Sequence, residues 1–249
     1  MVQEAKGKGG CQMKRILLMV LYNFPFVPWW WYQLCSYARH TDEIPEEKKY
    51  ALLKKITLHA NKGGRVKIDV YGKEHIPSEK GFVFFPNHQG LFDVLSIIEA
   101  CDVPFSVVAK IEVKDIPFLK QVFAILKAKM MDRDNVRQSL NIIQEVTEEV
   151  KGGKNYLIFP EGTRSKNGNE VGDFKGGSFK SAMNAKCPIV PVAMLNAYQA
   201  FDTNSIHPVT VEVHFLKPIP YEEYQGMRSK EIAELVRGQI VETIENHRK

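Results

Sequence analysis

Cysteine is scarce in this sequence, and no local pattern groups the few that occur. Only four of the 249 residues are cysteine, with no C-x-x-C pair and no neighbouring histidine at the spacing of metal ligands. The sequence therefore indicates neither a disulfide framework nor a zinc site. A reducing, cytosolic environment is the simpler expectation.

Several motifs of catalysis and nucleotide binding are also absent. The sequence has no G-x-S-x-G, and neither Cys101 nor Cys187 stands in a nucleophile motif, which argues against a serine or cysteine hydrolase. Gly152 and Gly153 are not followed by G-x-x-x-x-G-K-[ST], so they indicate the end of a helix and not a phosphate-binding loop. No internal repeat or low-complexity tract is present, which excludes a repeat array.

The overall composition is that of a globular protein with a modest basic excess. Hydrophobic residues make up 44% of the chain and charged residues 25%, so wholesale disorder and a polytopic membrane protein are excluded. A chain of 249 residues fits one sizeable α/β domain with an appendage. The net charge of +5 favours anionic partners such as phosphate groups or anionic lipid, and it does not by itself point to nucleic acid.

Residues 16–38 contain no charged side chain, and an uncharged stretch of this length is long enough to cross a bilayer. However, Asn23, Pro25 and Pro28 interrupt this stretch, and lipid cannot replace the backbone hydrogen bonds that prolines remove. The aromatic run at 29–32 favours the headgroup layer of a membrane. We therefore favour a pair of helices, bent at the prolines, in the membrane interface over a spanning helix, a signal peptide or burial within the soluble core.

The chain is accordingly predicted to have two parts. Residues 1–47 should form a flexible start followed by an apolar, Trp-rich helical segment that anchors the protein to a membrane. Residues 48–249 should form an α/β domain, because strand-like and helix-like segments alternate there. The expected fold class is therefore α/β, with a mostly parallel central sheet flanked by helices.

Six segments of this second part are predicted to be strands, because they are short, rich in β-branched and aromatic residues and bounded by glycine or proline. They are residues 66–71, 82–85, 105–109, 156–159, 189–194 and 209–215. One helix is expected to begin with Asp134 as its cap and to bury Val136, Leu140, Ile143, Val146 and Val150. A carboxyl-terminal helix should bury Ile232, Leu235, Val236, Ile240 and Ile244.

Two of these strands end in the same way and deliver polar side chains into the loops that follow. Residues 83–88 read Val-Phe-Phe-Pro-Asn-His, and residues 157–162 read Leu-Ile-Phe-Pro-Glu-Gly. Ligands of open α/β sheets bind beyond the carboxyl ends of strands. We therefore expect His88 and the loop from Glu161 to Arg164 to share one rim of the sheet.

Each of the two loops offers chemistry that has a simpler alternative. Asp93 follows His88 by five residues and, across a turn at Gly90, would fix the tautomer of a basic imidazole. In the second loop, Gly162 permits a tight turn, Thr163 supplies a hydroxyl, and the Arg164 guanidinium suits a phosphate. Taken alone, the spacing of His88 and Asp93 is weak evidence for a catalytic pair, and Glu161 with Arg164 would be interpreted as a surface ion pair.

Taken together, the two blocks resemble the glycerolipid acyltransferases, specifically the 1-acylglycerol-3-phosphate acyltransferase family. The resemblance rests on Asn87-His88-x4-Asp93 and on the Phe-Pro-Glu-Gly-Thr-Arg-Ser of residues 159–165. Two further blocks, at 174–182 and 189–193, also agree with it. Of the family's second block, which corresponds to residues 127–133, only the Asp132-Arg133 end matches. The resemblance covers residues 66–218.

The resemblance implies a role for each site residue. His88 would act as the general base on a lipid alcohol, and Asp93 would orient it without a covalent acyl-enzyme. Arg164 would bind the acceptor phosphate. Glu161 would either hold the loop or contact the glycerol. Lys110, unless it is merely a solvated lysine, would share the phosphate, and Arg133 is a further candidate.

The expected reaction moves a fatty acyl group from acyl-CoA or acyl-carrier protein to the sn-2 hydroxyl of lysophosphatidic acid, giving phosphatidic acid. No metal and no organic cofactor is implied, and no nucleic acid is an expected partner. The membrane surface would be contacted through the amino-terminal segment, on the cytoplasmic face, in a peripheral or monotopic manner. Alternatives are another lysophospholipid or amino-lipid acceptor, and a non-catalytic lipid-binding module.

Overall fold

The structure is a computed structural model, and it describes residues 9–132, 134–203 and 205–247. These residues form one seven-stranded sheet, in the order β1-β7-β6-β2-β5-β3-β4. The strands are β1 (Val66–Tyr71), β2 (Val83–Pro86), β3 (Ser106–Lys110), β4 (Lys129–Met131), β5 (Tyr156–Ile158), β6 (Ile189–Leu195) and β7 (Val209–Phe215). Every neighbouring pair is parallel except β6 with β7. The predicted α/β class with a mostly parallel sheet is confirmed.

Helices cover both faces of this sheet. Those before the middle of the chain are α1 (Gly9–Tyr22), α2 (Val27–Arg39), α3 (Glu46–Gly63), α4 (Asp93–Ala100) and α5 (Leu119–Ile125). The later ones are α6 (Val136–Lys151), α7 (Lys180–Ala185), α8 (Tyr198–Phe201), α9 (Tyr221–Tyr224) and α10 (Ser229–His247). One hydrophobic core lies between the sheet and α3, α4 and α5, and a second lies between the sheet and α6, α7 and α10. Burial on both faces explains why the central strands are apolar throughout.

The predicted strands are all present, and their ends differ by at most one residue. The strand β4 was not predicted, because three residues are too few for any periodicity to be visible. The antiparallel pairing of β7 with β6 was not foreseen either. These two strands are joined by residues 196–208, which reverse the chain without a crossover helix of the usual length.

The helix α6 departs in two ways from its prediction. Its cap is Asn135 and not Asp134, because the Asn135 side chain accepts a hydrogen bond from the backbone N–H of Gln138 at 3.0 Å. Val136 and Leu140, expected in the core, are 71% and 52% exposed. The buried face begins later, at Ile142, because the first turns of the helix extend beyond the core. In α10, Leu235 is partly exposed, and the other four predicted positions are buried.

The amino-terminal segment forms two helices, α1 and α2, separated by a turn at 23–26. Pro25 lies in that turn and Pro28 in the first turn of α2, where a missing N–H costs no intrahelical bond. Trp30 and Leu34 are buried, whereas Trp29 and Tyr32 are exposed. The predicted helix pair thus packs one face on the domain and leaves an aromatic face uncovered.

Arg15 fixes α1 to the domain. Its buried guanidinium donates hydrogen bonds to the carbonyl oxygens of Gly64 at 2.6 Å, Ser205 at 2.9 Å and His207 at 3.0 Å. Among the described residues, no helix combines the length and the apolar character needed to cross a bilayer. The flexible start expected at the amino terminus falls mainly on residues 1–8, which lie outside the described residues.

Candidate active site

The strands β2, β5 and β3 are parallel neighbours, so the loops after their carboxyl ends meet at one edge of the sheet. His88 lies two residues beyond β2, and Asp93 opens α4 five residues later. The imidazole Nδ1 of His88 lies 2.7 Å from Oδ2 of Asp93. The pair expected from the sequence is therefore formed.

The hydrogen bond to Asp93 determines which nitrogen of His88 is basic. Because a carboxylate only accepts, the proton of a neutral imidazole lies on Nδ1, and Nε2 carries the lone pair. Nε2 makes no hydrogen bond with any described residue. The ring lies against Phe159, with 4.2 Å between ring centroids, which restricts its rotation. The arrangement presents a basic nitrogen of fixed orientation.

Asp93 is fully buried, and its carboxylate is held by three donors. Oδ2 accepts from Nδ1 of His88, from the backbone N–H of Gln89 at 2.6 Å and from that of Gly90 at 3.0 Å. Its position in the first turn of α4 also places it where a helix favours negative charge. These contacts offset part of the cost of burying a carboxylate, although Oδ1 is buried without a hydrogen-bond partner among the described residues.

Glu161 joins the two loops that carry the predicted site. One carboxylate oxygen accepts from the backbone N–H of His88 at 2.7 Å, and the other accepts from Gly172 N–H at 3.1 Å. A backbone bond of 2.8 Å from Ser165 N–H to the His88 carbonyl adds a second link. Glu161 is only 4% exposed and is not among the residues that line the cleft. Its contacts are those of the loop-holding alternative.

Burial raises the pKa of Glu161, and the two backbone donors partly oppose this effect. The folded protein therefore holds this proton more tightly than the unfolded chain does. The contribution of this group to stability consequently falls as the pH rises from 4.5 through the folded pKa. A carboxylate is suited to this buried position because each of its two oxygens accepts a hydrogen bond from one backbone N–H.

Two amide side chains, those of Asn87 and Gln89, flank His88; Asn87 belongs to the motif that carries the family resemblance, but no role was predicted for either side chain. Asn87 exchanges two hydrogen bonds with the backbone of Met194, at 3.0 and 2.7 Å, and so ties the end of β2 to β6. Gln89 accepts from the backbone N–H of Ala197 at 2.7 Å and donates to Asn169 at 2.8 Å. Both are buried. For Gln89 the only signal in the sequence is its position beside His88.

A cleft of about 610 Å³ opens at this edge of the sheet. It brings together six of the residues predicted for the site or adjoining it, namely His88, Lys110, Phe159, Gly162, Thr163 and Arg164. Its remaining wall is largely apolar and comes from α4, β3, α5 and the segment between β3 and α5. The cleft thus combines one basic imidazole, an apolar surface and the three cations Lys110, Arg164 and Lys175.

Arg164 and Lys110 are the two cations of the cleft that the sequence predicted, and Lys175 is a third. The Arg164 and Lys110 side chains are half exposed. Arg164 Nη1 lies 3.5 Å from Asp202, and Lys110 pairs with Glu112. Surface pairs of this kind contribute under about 1 kcal/mol, so an anionic ligand can displace them at little cost. Arg133, the third predicted cation, lies outside the described residues.

Gly162 is required by the backbone of the second loop. Its φ of +74° is one that side-chain-bearing residues rarely adopt. Thr163 follows as an exposed residue at the rim of the cleft. The described residues contain no cluster of three or more histidine, cysteine, aspartate or glutamate side chains placed to bind a metal ion.

A second cavity, of about 390 Å³, lies between the amino-terminal helices and the domain. Its lining is almost wholly apolar and includes Met19, Trp30 and Phe118. Four residues, Leu91, Leu95, Ile116 and Leu119, line both this cavity and the cleft of His88. An apolar space therefore adjoins the cleft that contains His88.

The mostly parallel α/β sheet thus carries a carboxylate-bound histidine beside three cations and an adjoining apolar cavity. A family model described as Acyltransferase matches residues 67–195. The chain belongs to this Acyltransferase family.

Relatives in this family carry a more specific name. A 1-acyl-sn-glycerol-3-phosphate acyltransferase of Borreliella burgdorferi is 29% identical over 182 residues, which is 72% of each chain. The Saccharomyces cerevisiae enzyme of the same name is 31% identical over 71% of this chain and 59% of its own length. That of Escherichia coli is 30% identical over 61% of this chain and 62% of its own. The chain thus spans about three fifths of the last two relatives.

The fold is also that of a solved structure. The crystal structure of the 1-acyl-sn-glycerophosphate acyltransferase PlsC from Thermotoga maritima superposes with a TM-score of 0.74, over 94% of this chain and 97% of that one. The two sequences are 22% identical, so the likeness shows the shared fold.

Glu161→Gln should lower both stability and activity. Glutamine offers one acceptor oxygen where the backbone presents two donors, so its amide nitrogen would face the N–H of His88 or of Gly172. We expect a loss of about 1–3 kcal/mol in the free energy of unfolding, measured by urea titration in detergent. Asp173→Asn, an exposed change in the same segment, is the control. If the Glu161→Gln protein were as stable as the control, the two hydrogen bonds of Glu161 would not be what holds the two loops together.

Proposed function

We propose that this chain is a 1-acylglycerol-3-phosphate O-acyltransferase. It moves a fatty acyl group from acyl-CoA or acyl-carrier protein to the sn-2 hydroxyl of lysophosphatidic acid and yields phosphatidic acid. The observation that carries this proposal is the 2.7 Å contact between His88 and Asp93 at the wall of a cleft that also contains Arg164 and Lys110. The names of the relatives agree with it.

His88 acts as the general base. Its Nε2 removes the proton of the acceptor hydroxyl while the oxygen forms a bond to the thioester carbonyl carbon. The resulting tetrahedral intermediate collapses, the carbon–sulfur bond breaks, and the imidazolium returns the proton to the leaving thiolate. The products are the new ester and a free thiol, and the enzyme is unchanged. No acyl group is bound covalently to the protein.

Asp93 supports this step through charge and orientation. When His88 takes up a proton, the buried carboxylate at 2.7 Å stabilises the imidazolium. Because Gln89 and Gly90 also donate to the same oxygen, the carboxylate does not need to reorganise during the reaction. The base is therefore held in one tautomer and one orientation throughout.

Arg164 and Lys110 bind the phosphate of the acceptor. Both line the cleft with His88, and each forms a surface ion pair with a carboxylate. Ion pairs of this kind are weak, so a phosphate can replace the carboxylate. The guanidinium gives two parallel hydrogen bonds to phosphate oxygens, and the lysine adds a second positive charge. Holding the phosphate fixes the distance between the acceptor hydroxyl and Nε2.

The amino-terminal helices anchor the protein to the cytoplasmic face of the membrane, where the active site has to reach the acceptor lipid. Their outer face exposes Leu17, Leu21, Phe24, Phe26, Trp29, Trp31 and Tyr32. Aromatic residues of this kind prefer the boundary between headgroups and acyl chains. The apolar cavity below the helices adjoins the cleft and accommodates alkyl chain. The protein is thus a peripheral or monotopic membrane protein.

His88→Ala should reduce kcat for acyl transfer to lysophosphatidic acid by about 10² to 10⁴, because the general base is lost. Asp93→Asn should reduce kcat as well, since it removes the charge that stabilises the imidazolium. Steady-state assays with acyl-CoA and with acyl-carrier protein measure both effects. His59→Ala, a histidine outside the cleft, is the control. Wild-type rates in a folded His88→Ala protein would refute the proposed catalysis.

Arg164→Gln should raise the KM for lysophosphatidic acid by about tenfold or more, because a charged hydrogen bond to phosphate contributes about 1.5–3 kcal/mol. The KM for the acyl donor should not change. Lys166→Gln, an exposed change in the same loop, is the matched control. With a monoacylglycerol acceptor, which has no phosphate, the Arg164 variant should equal wild type. An equal loss with both acceptors would show that Arg164 does not recognise the phosphate.

Replacing Trp29 and Trp31 together by serine should weaken binding to vesicles of phosphatidylglycerol and phosphatidylethanolamine. Each exposed indole contributes about 1.5–3 kcal/mol when it enters an apolar layer, so the partition coefficient should fall by at least about tenfold. Trp30 is left intact because it is 7% exposed and packs on the domain. Val136→Ser with Leu140→Ser, two exposed apolar positions on α6, is the control. Equal sedimentation of the two variants would contradict the anchor.

A further inference from the structure

A third cavity leaves the cleft on the opposite face of the sheet from the apolar cavity. Its volume is about 230 Å³. It shares Val108, Phe159, Gly162 and Lys175 with the cleft of His88. Its deeper apolar wall comes from β5, β4 and α6, which belong to the second core. The two smaller cavities therefore join the cleft of His88 from different faces of one sheet.

The lining of the third cavity is mixed polar and apolar, whereas that of the second is almost wholly apolar. Three hydroxyls line it, those of Ser139, Ser178 and Ser181. The Ser139 hydroxyl donates to the carbonyl of Asp132 at 3.0 Å. The Ser181 hydroxyl is buried, the residue being 1% exposed, and it has no hydrogen-bond partner among the described residues. Burying an unpaired hydroxyl costs free energy, so an occupant that forms a hydrogen bond here would recover it.

Lys175 lies where the third cavity joins the cleft. Its side chain crosses Gly162 so closely that a Cβ on that glycine would be 3.1 Å from Nζ. Its backbone N–H donates to the carbonyl of Pro160 at 2.9 Å, which fixes the start of the side chain. No carboxylate among the described residues lies within 4.0 Å of its ammonium. The structure thus has a cation at the junction of two cavities, without a carboxylate to neutralise it.

We propose that the third cavity binds the part of the donor's phosphopantetheine arm that lies next to the thioester, with the Lys175 ammonium on the carbonyl of the first amide and the Ser181 hydroxyl on the second amide. This assignment rests on the proposed function and extends it to the donor. Acyl-CoA and acyl-carrier protein carry the acyl group on the same arm, which alternates apolar segments with two amides and ends in a phosphate. The apolar cavity suits alkyl chain, and Arg164 and Lys110 suit the acceptor phosphate. The mixed surface of the third cavity suits this remaining part of the substrates.

The test compares Lys175→Gln with Lys180→Gln, a matched exposed lysine on α7 that does not line the cavity. Lys175→Gln should raise the KM for acyl-CoA and for acyl-carrier protein by about tenfold, the factor that corresponds to about 1.4 kcal/mol. The KM for lysophosphatidic acid should stay as in wild type. Calorimetric titration with unacylated coenzyme A should show the same weakening without any turnover.

Ser181→Ala provides a second measurement. It should raise the donor KM several-fold while leaving thermal stability equal to or above that of wild type, because it removes a buried unpaired hydroxyl. Lower stability with an unchanged donor KM would assign the hydroxyl a purely structural role and overturn this part of the proposal.

Three outcomes separate the inference from the proposed function. A rise in the acceptor KM alone in Lys175→Gln would place Lys175 in the acceptor site and overturn the inference. Normal transfer with unchanged coenzyme A binding in both variants would also overturn it and leave the proposed function standing. Lys175-dependent binding of coenzyme A by a wild-type protein that does not acylate lysophosphatidic acid would support the donor site and overturn the proposed function.

Discussion

The buried carboxylate of Asp93 is the interaction on which the rest of the site depends. One oxygen receives the imidazole of His88 and the backbone N–H groups of Gln89 and Gly90. A buried charge is tolerated only when such donors surround it, so the turn after β2 can adopt one conformation and hardly any other. The same contacts that stabilise this turn also select the tautomer of His88. Local stability and the basicity of Nε2 therefore have one physical origin.

Glu161 extends this constraint to the second loop. Through its two oxygens it connects the backbone at His88 with that at Gly172, and so positions the loop that carries Gly162 and Arg164. A phosphate-binding cation is thereby held at a fixed place relative to the base. The cavities on the two faces of the sheet then provide separate surfaces around one reacting centre. The arrangement fits a reaction that joins two large substrates, each with an apolar and a polar part.

Much of the fold could be predicted from the sequence, because strand periodicity and bounding glycines and prolines are local signals. The six predicted strands and the partnership of His88 with Asp93 are examples. Three features could not be predicted: the short strand β4, the antiparallel pairing of β7, and the exposure of Val136 at the start of α6. Each of these features depends on how distant segments of the chain pack against the one concerned, and the periodicity of a segment carries no information about its packing partners.

The α/β class, the residues of the two loops and the apolar aromatic character of the amino terminus follow from residue types and their spacing. Three further facts depend on the folded chain: both oxygens of Glu161 bind backbone amides, Trp30 is buried between exposed Trp29 and Trp31, and Lys175 lies over Gly162. The reason is physical: the direction of a side chain and the partners it meets depend on segments distant in the chain, which become neighbours only when the sheet and its helices pack together.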